Sequence, residues 1–341
     1  MKFTKRHLVY LMVVIVIAFF LSSYKLPYYV YKPGDADALN PIIEVDDGFE
    51  SVGDMHLVTV RGGQATPIQY AVAKVLPHHE IYPIKEIRPE GVSEEEYFHV
   101  QLQMMESSQE AAKVVGYTAA EEKIEINYNG VYVVSIIEGM PADGILKKGD
   151  RIIGIAGKEI NKSNELINFV EGKKAGDTIT LEIVRDKEKI TKEIELEAFE
   201  KLDNKVGIGI QLVTDRSVEV DPNVTFSSGN IGGPSAGLMF SLEIYDQLTE
   251  KDITSGYQIC GTGEIDYEGN VQRIGGIDKK VIAADDEGCK VFFAPNENGA
   301  KGSNYEVAKK SIKEIDTNME VVPVDTFNDA LDYLQDLKLK K

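Results

Sequence analysis

Apolar and polar positions follow three rhythms along this chain, and the first has no polar counterpart at all. From Leu8 to Tyr24 the sequence is uncharged and mostly apolar; Lys2, Lys5 and Arg6 precede the run and Lys25 closes it. Coiled as a helix it would reach about 25 Å, enough for a bilayer once the flanking basic side chains snorkel outward. A cleaved signal peptide is the competing reading. A cut after Ser22 or Ser23 would leave Phe20 or Leu21 where the peptidase needs a small side chain. The run therefore reads as a retained single-pass anchor. Positive charge ahead of it keeps the amino terminus in the cytoplasm and puts residues from about 26 onward outside.

Beyond the anchor the periods shorten. Tyr28–Leu39 (YYVYKPGDADAL) reads as a juxtamembrane linker, because Pro33-Gly34-Asp35 cannot continue a helix. Met55–Val60 alternates as a strand does, and Glu95–Gln103 is a further extended candidate. Met104–Val115 has helical spacing, with Met105, Ser108, Ala112 and Val115 on one arc. From about 117 to 200 the pattern predicts a β-rich unit with strands over Val131–Ile137, Arg151–Ile155 and Thr178–Arg185 and one helix over Asn164–Gly172. After 203, strand-like stretches lead to the glycine-rich turn Ser228–Gly233 and an apolar helix from Ala236 to Leu248. A strand over Gly256–Ile265 and a helix over Asp278–Glu287, stopped by Gly288, complete the pattern.

Composition then narrows the chemistry. Hydrophobic residues make up 43% and charged residues 27%, as in a folded protein. A formal charge of −19 argues against nucleic acid as a partner, since a phosphate backbone would be repelled. Cys260 and Cys289 lack metal spacing and the five histidines are scattered, so no metal and no cofactor is expected. The two cysteines read as small core residues, and a bridge between them is left open.

The densest chemical signal follows residue 203. Gly232-Gly233-Pro234-Ser235-Ala236-Gly237 puts a small nucleophile where a glycine-rich turn meets a helix. There the unpaired N–H groups of the first turn can hold an oxyanion. A phosphate loop would need G-x-x-x-x-G-K-[ST], which does not occur in the sequence. In the helix after Gly275-Gly276, Lys280 shares the apolar face with Ile277, Val281 and Ala284, whereas Lys279 projects on a wetter arc. Burial lowers a lysine's pKa, and the neutral amine can then serve as a general base. A serine capping its helix without any chemistry is the plainer alternative.

Two resemblances gather these signals. The segment NGVYVVSIIEGMPADGILKKGDRIIGIAGKEI resembles a PDZ domain of the bacterial protease type. The likeness implies a peptide groove between the strand at Gly130–Val134, with Gly130, Val131, Tyr132 and Val133 as its residues, and the helix near Asn164–Val170, with Asn129-Gly130-Val131-Tyr132 in place of the usual carboxylate-binding loop; a PDZ-like fold used only as a spacer is the alternative. GPSAG at 233–237, TGEI at 262–265 and GGIDKKVIAADDEGCK at 275–290 resemble the proteolytic domain of Lon. That likeness implies Ser235 as nucleophile, Lys280 as general base and Thr262 as the support of the amine. The backbone of Gly233, Pro234 and Ala236 is then expected to form the oxyanion hole. Met105, Ser108 and Ala112 match a helix of the same family.

The expected fold class is α+β: a Lon-type proteolytic domain with an inserted PDZ-like domain, after one transmembrane helix. The expected division is a cytoplasmic tip and anchor at 1–25, a linker at 26–49, catalytic parts at 50–116 and 203–341, and the PDZ-like unit at 117–202. The expected function is ATP-independent cleavage of peptides or unfolded polypeptide outside the cell membrane. The membrane is a partner through residues 8–24, and the resemblance permits a homo-oligomer. The alternative is a non-catalytic peptide-binding scaffold on the same core.

Overall fold

A computed structural model describes residues 5–88, 92–199 and 204–338; Lys2 and the expected boundary at 202/203 lie outside them. The chain divides into two compact units, one formed by residues before 124 together with those after 219, the other by Ile124–Glu219. The second unit thus begins and ends later than the expected 117–202. Two facts set its limits: the long helix Glu94–Ala119 runs past 117, and the strand Ile210–Asp221 completes the second unit's own sheet.

The first unit is built on six strands in the order Glu320–Val324, Val291–Pro295, Gln258–Gly261, Asp54–Gln64, Tyr28–Ala38 and Glu80–Pro83. Neighbours are parallel as far as Asp54–Gln64 and antiparallel after it. Cys260 pairs with His56 and Gly261 with Leu57, so segments from before and after the second unit share one sheet. Val291–Pro295 (VFFAP) is buried throughout, as an interior parallel strand should be.

Two sequence expectations fail here. Tyr28–Ala38 is not part of a linker but a strand with partners on both edges. Its Pro33-Gly34-Asp35 breaker is absorbed by a register shift between Pro33 and Ala36, where Asp35 N–H donates to Thr59 Oγ1 at 3.0 Å. Gly34 allows this close approach: a Cβ there would fall 2.4 Å from the same oxygen. The second failure is Glu95–Gln103, which is helical. Ser93 and Glu96 form a reciprocal capping box, and three glutamates fill the first turn, so one helix runs from Glu94 to Ala119.

Two helices pack against the sheet, one just after Ser235 and one bearing Lys280. The serine helix, Gly237–Leu248, is buried along most of its length and packs against Glu94–Ala119; Gly116 admits the side chain of Ile244 there. The lysine helix, Ile277–Glu287, packs with Val58, Cys260, Phe292 and Ala294. Cys260 and Cys289 are disulfide-bonded within that cluster, with Cα atoms 5.8 Å apart.

The second unit is a sheet in the order Ile210–Asp221, Lys123–Ile136, Arg151–Ile155, Thr178–Arg185, Glu188–Glu195, with the helix Ser163–Glu171. Val131, Val133, Ile152, Ile155, Leu181 and Ile183 form its core. The Gly149-Asp150-Arg151 turn is pinned by Asp150, which accepts Lys147 N–H at 2.8 Å and the Arg185 guanidinium at 2.6 Å. Burial pushes the Asp150 carboxyl up, but the Arg185 hydrogen bonds outweigh it and hold the group below its usual range.

Candidate active site

Ser235 lies in the turn just ahead of the serine helix. Gly233 has φ +91°, a conformation that favours glycine, and Gly237 sits so tightly that a Cβ would fall 2.7 Å from Ile265 Cγ2 and 2.8 Å from Ser108 Oγ. Contacts from other parts of the unit clamp the turn. Gly233 N–H donates to Gln101 O at 2.8 Å, and Ser108 Oγ–H donates to Pro234 O at 2.9 Å. The Ser235 carbonyl accepts from Gly263 N–H at 2.9 Å and from the Thr262 hydroxyl at 2.9 Å.

Lys280 enters from the opposite wall. Its helix starts at Gly276, whose φ of +68° turns the chain sharply and whose missing side chain leaves room for Val60. Lys280 Nζ lies 2.8 Å from Ser235 Oγ, 2.8 Å from Val58 O and 3.0 Å from Thr262 Oγ1. Burial without a carboxylate in contact lowers its pKa to about 7. A neutral amine has two N–H bonds and one lone pair. Val58 O and Thr262 Oγ1 take the two N–H bonds, and the lone pair is left for the Ser235 hydroxyl proton. Thr262 can accept from the amine because its own proton is committed to the Ser235 carbonyl. An alkoxide-like oxygen generated beside a helix start is what acyl transfer requires.

The expected oxyanion hole needs correction. Pro234 has no N–H, and the N–H of Gly233 is already bonded to Gln101 O. Among the described residues no partner takes the N–H of Ser235 or Ala236, so these two amides are the available donors. Lys279 also departs from expectation. Its side chain is 2% exposed rather than on a wet arc, and it ion-pairs with Glu80 at 2.5 Å and Asp278 at 3.0 Å. Desolvation pushes Glu80 up, but hydrogen bonds from Lys279 and Tyr82 prevail and hold it low.

The pair opens into a cleft of about 1180 Å³, walled by Tyr29, Tyr31, Tyr82, Tyr97 and Glu264 among others. Burial pushes the Glu264 carboxyl up. Among the described residues no group of His, Cys, Asp and Glu could hold a metal ion. The Val58 carbonyl, the Gln101 clamp and the tyrosine wall carry no local sequence signal. Ser108 was visible only as a matching position on a helix.

In the second unit, Gly130, Val131, Tyr132 and Val133 cannot take a peptide by strand addition. They lie on an interior strand, bonded to Ile210–Asp221 on one edge and Arg151–Ile155 on the other, and Val131 and Val133 are core. The outer strand on that side of the sheet is Ile210–Asp221. Beside it a groove of about 440 Å³ is lined by Leu166, Ile167 and Val170 from the helix and by Val206–Ile210. The alternation Val206-Gly207-Ile208-Gly209-Ile210 was the available sequence signal.

Known families match both units. Residues 185–336 match the Lon protease (S16) C-terminal proteolytic domain, and residues 100–196 match the PDZ domain. A Lon protease of Campylobacter jejuni is 35% identical over 131 residues, which are 35% of this chain and 16% of that protein. The serine protease Do-like HtrA of Bacillus subtilis is 33% identical over 129 residues, 37% of this chain and 28% of that protein. Among solved structures, the PDZ domain of an SdrC-like protein from Listeria monocytogenes is 36% identical, covers 26% of this chain and 93% of that one, and has a TM-score of 0.25. The chain spans less than a third of the length of these two curated relatives. It carries a Lon-type proteolytic domain and a PDZ domain, in a mixed helix and strand fold. Lys5–Ser23, with a mean hydropathy of 2.0 and no buried residue, fits a single-pass membrane anchor.

Proposed function

We propose that this chain is a membrane-anchored, ATP-independent serine endopeptidase that works through Ser235 and Lys280. One observation carries the reading: a buried amine with a pKa of about 7 lies 2.8 Å from the serine hydroxyl. Neutral Lys280 takes the Ser235 proton as Oγ attacks a peptide carbonyl. The N–H groups of Ser235 and Ala236 hold the oxyanion, and the protonated lysine delivers its proton to the leaving amine. Water, deprotonated by the same amine, then hydrolyses the acyl-enzyme. Thr262 is a positioning residue.

The anchor reading places both units outside the cell, with the amino terminus in the cytoplasm. The substrates are peptides or segments already unfolded, which can extend through the cleft at Ser235. The groove beside Ile210–Asp221 binds extended segments by strand addition and raises their effective concentration for the cleft. Replacing Ile167 with Asp is expected to weaken peptide binding there, whereas Tyr132→Ala leaves the edge intact.

The test is covalent labelling of the full chain with a fluorophosphonate or a peptide boronate. An adduct on Ser235 that requires Lys280, together with cleavage of an unfolded peptide, supports the peptidase. No adduct and no cleavage, with peptide still bound, would show a binding scaffold instead.

A further inference from the structure

The short helix Pro67–Ala73 follows a capping box between Thr66 and Gln69 and continues as a helical turn, Leu76 N–H donating to Val72 O at 2.9 Å. Its apolar side chains fall on one stripe: Ile68, Val72, Val75 and Leu76 recur at the spacing by which a helix buries one face. These four are nonetheless 43% to 82% exposed, Val75 most of all.

Their position names the occupant. The stripe belongs to the same hydrogen-bonded corner from which the apolar helix Lys5–Ser23 leaves. Leu26 N–H donates to Ala65 O at 2.8 Å, Ala65 N–H to Tyr28 O at 2.8 Å, and Lys25 Nζ to Gln64 O at 3.2 Å. The rings of Tyr28 and Tyr70 meet at 4.9 Å, and Lys74 lies over the Tyr70 ring at 4.8 Å. Tyrosines with lysines just beyond them suit the water–lipid boundary. The helix bearing the stripe thus packs beside the anchor helix, within one unit. A chain with a formal charge of −19 gains no general attraction from anionic headgroups, so the contact is apolar.

We propose that Pro67–Leu76 is a second, shallow membrane contact. Ile68, Val72, Val75 and Leu76 lie in the headgroup–acyl boundary of the leaflet from which the anchor emerges. This rests on Lys5–Ser23 spanning the bilayer. Tyr29, which walls the Ser235 cleft, is only three residues beyond Leu26, about 10 Å along an extended strand. One end of the cleft is thereby held close to the lipid surface, where segments leaving the membrane first become extended.

The chain contains no tryptophan, so Val75→Trp introduces a single reporter at an exposed position. Ile68→Trp is the second reporter, and Lys310→Trp, on a side chain 79% exposed, is the control. The full chain is reconstituted in zwitterionic liposomes at no more than one chain per vesicle. Resistance to alkaline extraction is scored first; failure there removes the anchor and the proposal with it. In integrated chains the two stripe reporters should show blue-shifted emission. Lipids spin-labelled near the headgroup should quench them more than lipids labelled deep in the acyl chain, unchanged by salt, while the control stays water-like and unquenched. Water-like emission from both stripe reporters in an integrated chain would overturn the membrane contact and leave the anchor standing. A blue shift that arises only with two or more chains per vesicle would overturn it in favour of a second copy.

Discussion

Two pockets on successive residues of one helix hold lysines in opposite ways. Lys279 and Lys280 are nearly shut off from solvent, at 1% and 4% exposure, and point about 100° apart around the helix. The pocket of Lys279 offers carboxylates, Glu80 and Asp278. The pocket of Lys280 offers only neutral oxygens, from Val58, Ser235 and Thr262. An ammonium beside carboxylates gains Coulomb attraction against its lost hydration. One among hydroxyls and a carbonyl recovers less and gives up its proton near pH 7. Burial without a counter-charge is what lowers the pKa of Lys280.

The comparison can be broken at either pocket. The largest expected effect is Lys280→Met, which should lower peptide cleavage on the order of 10⁴-fold or more, measured as kcat/KM on an unfolded peptide. Activity near the parent level would end the dyad reading. Thr262→Val comes next, because it takes an acceptor from the amine and a donor from the Ser235 carbonyl. It should cost about 10-fold to 100-fold in kcat, with Thr262→Ser restoring most of it.

The pH dependence sharpens the contrast. In the proposed mechanism the neutral amine is the base; Lys280 is protonated below about 7, so activity should rise through that range and level off above it. Fluorophosphonate labelling at pH 6 should be about 10-fold slower than at pH 8. A flat profile would mean that another group removes the proton. The smallest effect belongs to Lys279→Met. It should cost about 1–2 kcal/mol in urea denaturation, since Glu80 and Asp278 can rehydrate, and leave the labelling rate near the parent value.

Much of this site was legible in the order of residues. The GPSAG and GGI-x-x-K patterns and the apolar arc of Ile277, Lys280, Val281 and Ala284 pointed to Ser235 and Lys280, which lie within hydrogen-bond reach. The legible part was local: helix faces, glycines at sharp turns, a small residue beside a helix start. Errors arose where a position's role depends on a distant strand. Tyr28–Ala38 looked like a linker because its breaker residues were visible and its partners Asp54–Gln64 and Glu80–Pro83 were not. Gly130–Val133 looked like a peptide edge because nothing local reveals that Ile210–Asp221 already covers it. Lys279 looked wet because Glu80 approaches from 199 positions away.

Which groups can react, which faces are apolar and where the backbone can bend follow from side-chain type and a short repeat, and are readable along the chain. Which strand edge stays open, which amide N–H groups remain unbonded and which buried lysine lacks a counter-charge depend on long-range packing. The Val58 carbonyl beside Lys280 shows the reason: it lies 222 positions away, and every residue carries a carbonyl, so packing alone could select this one.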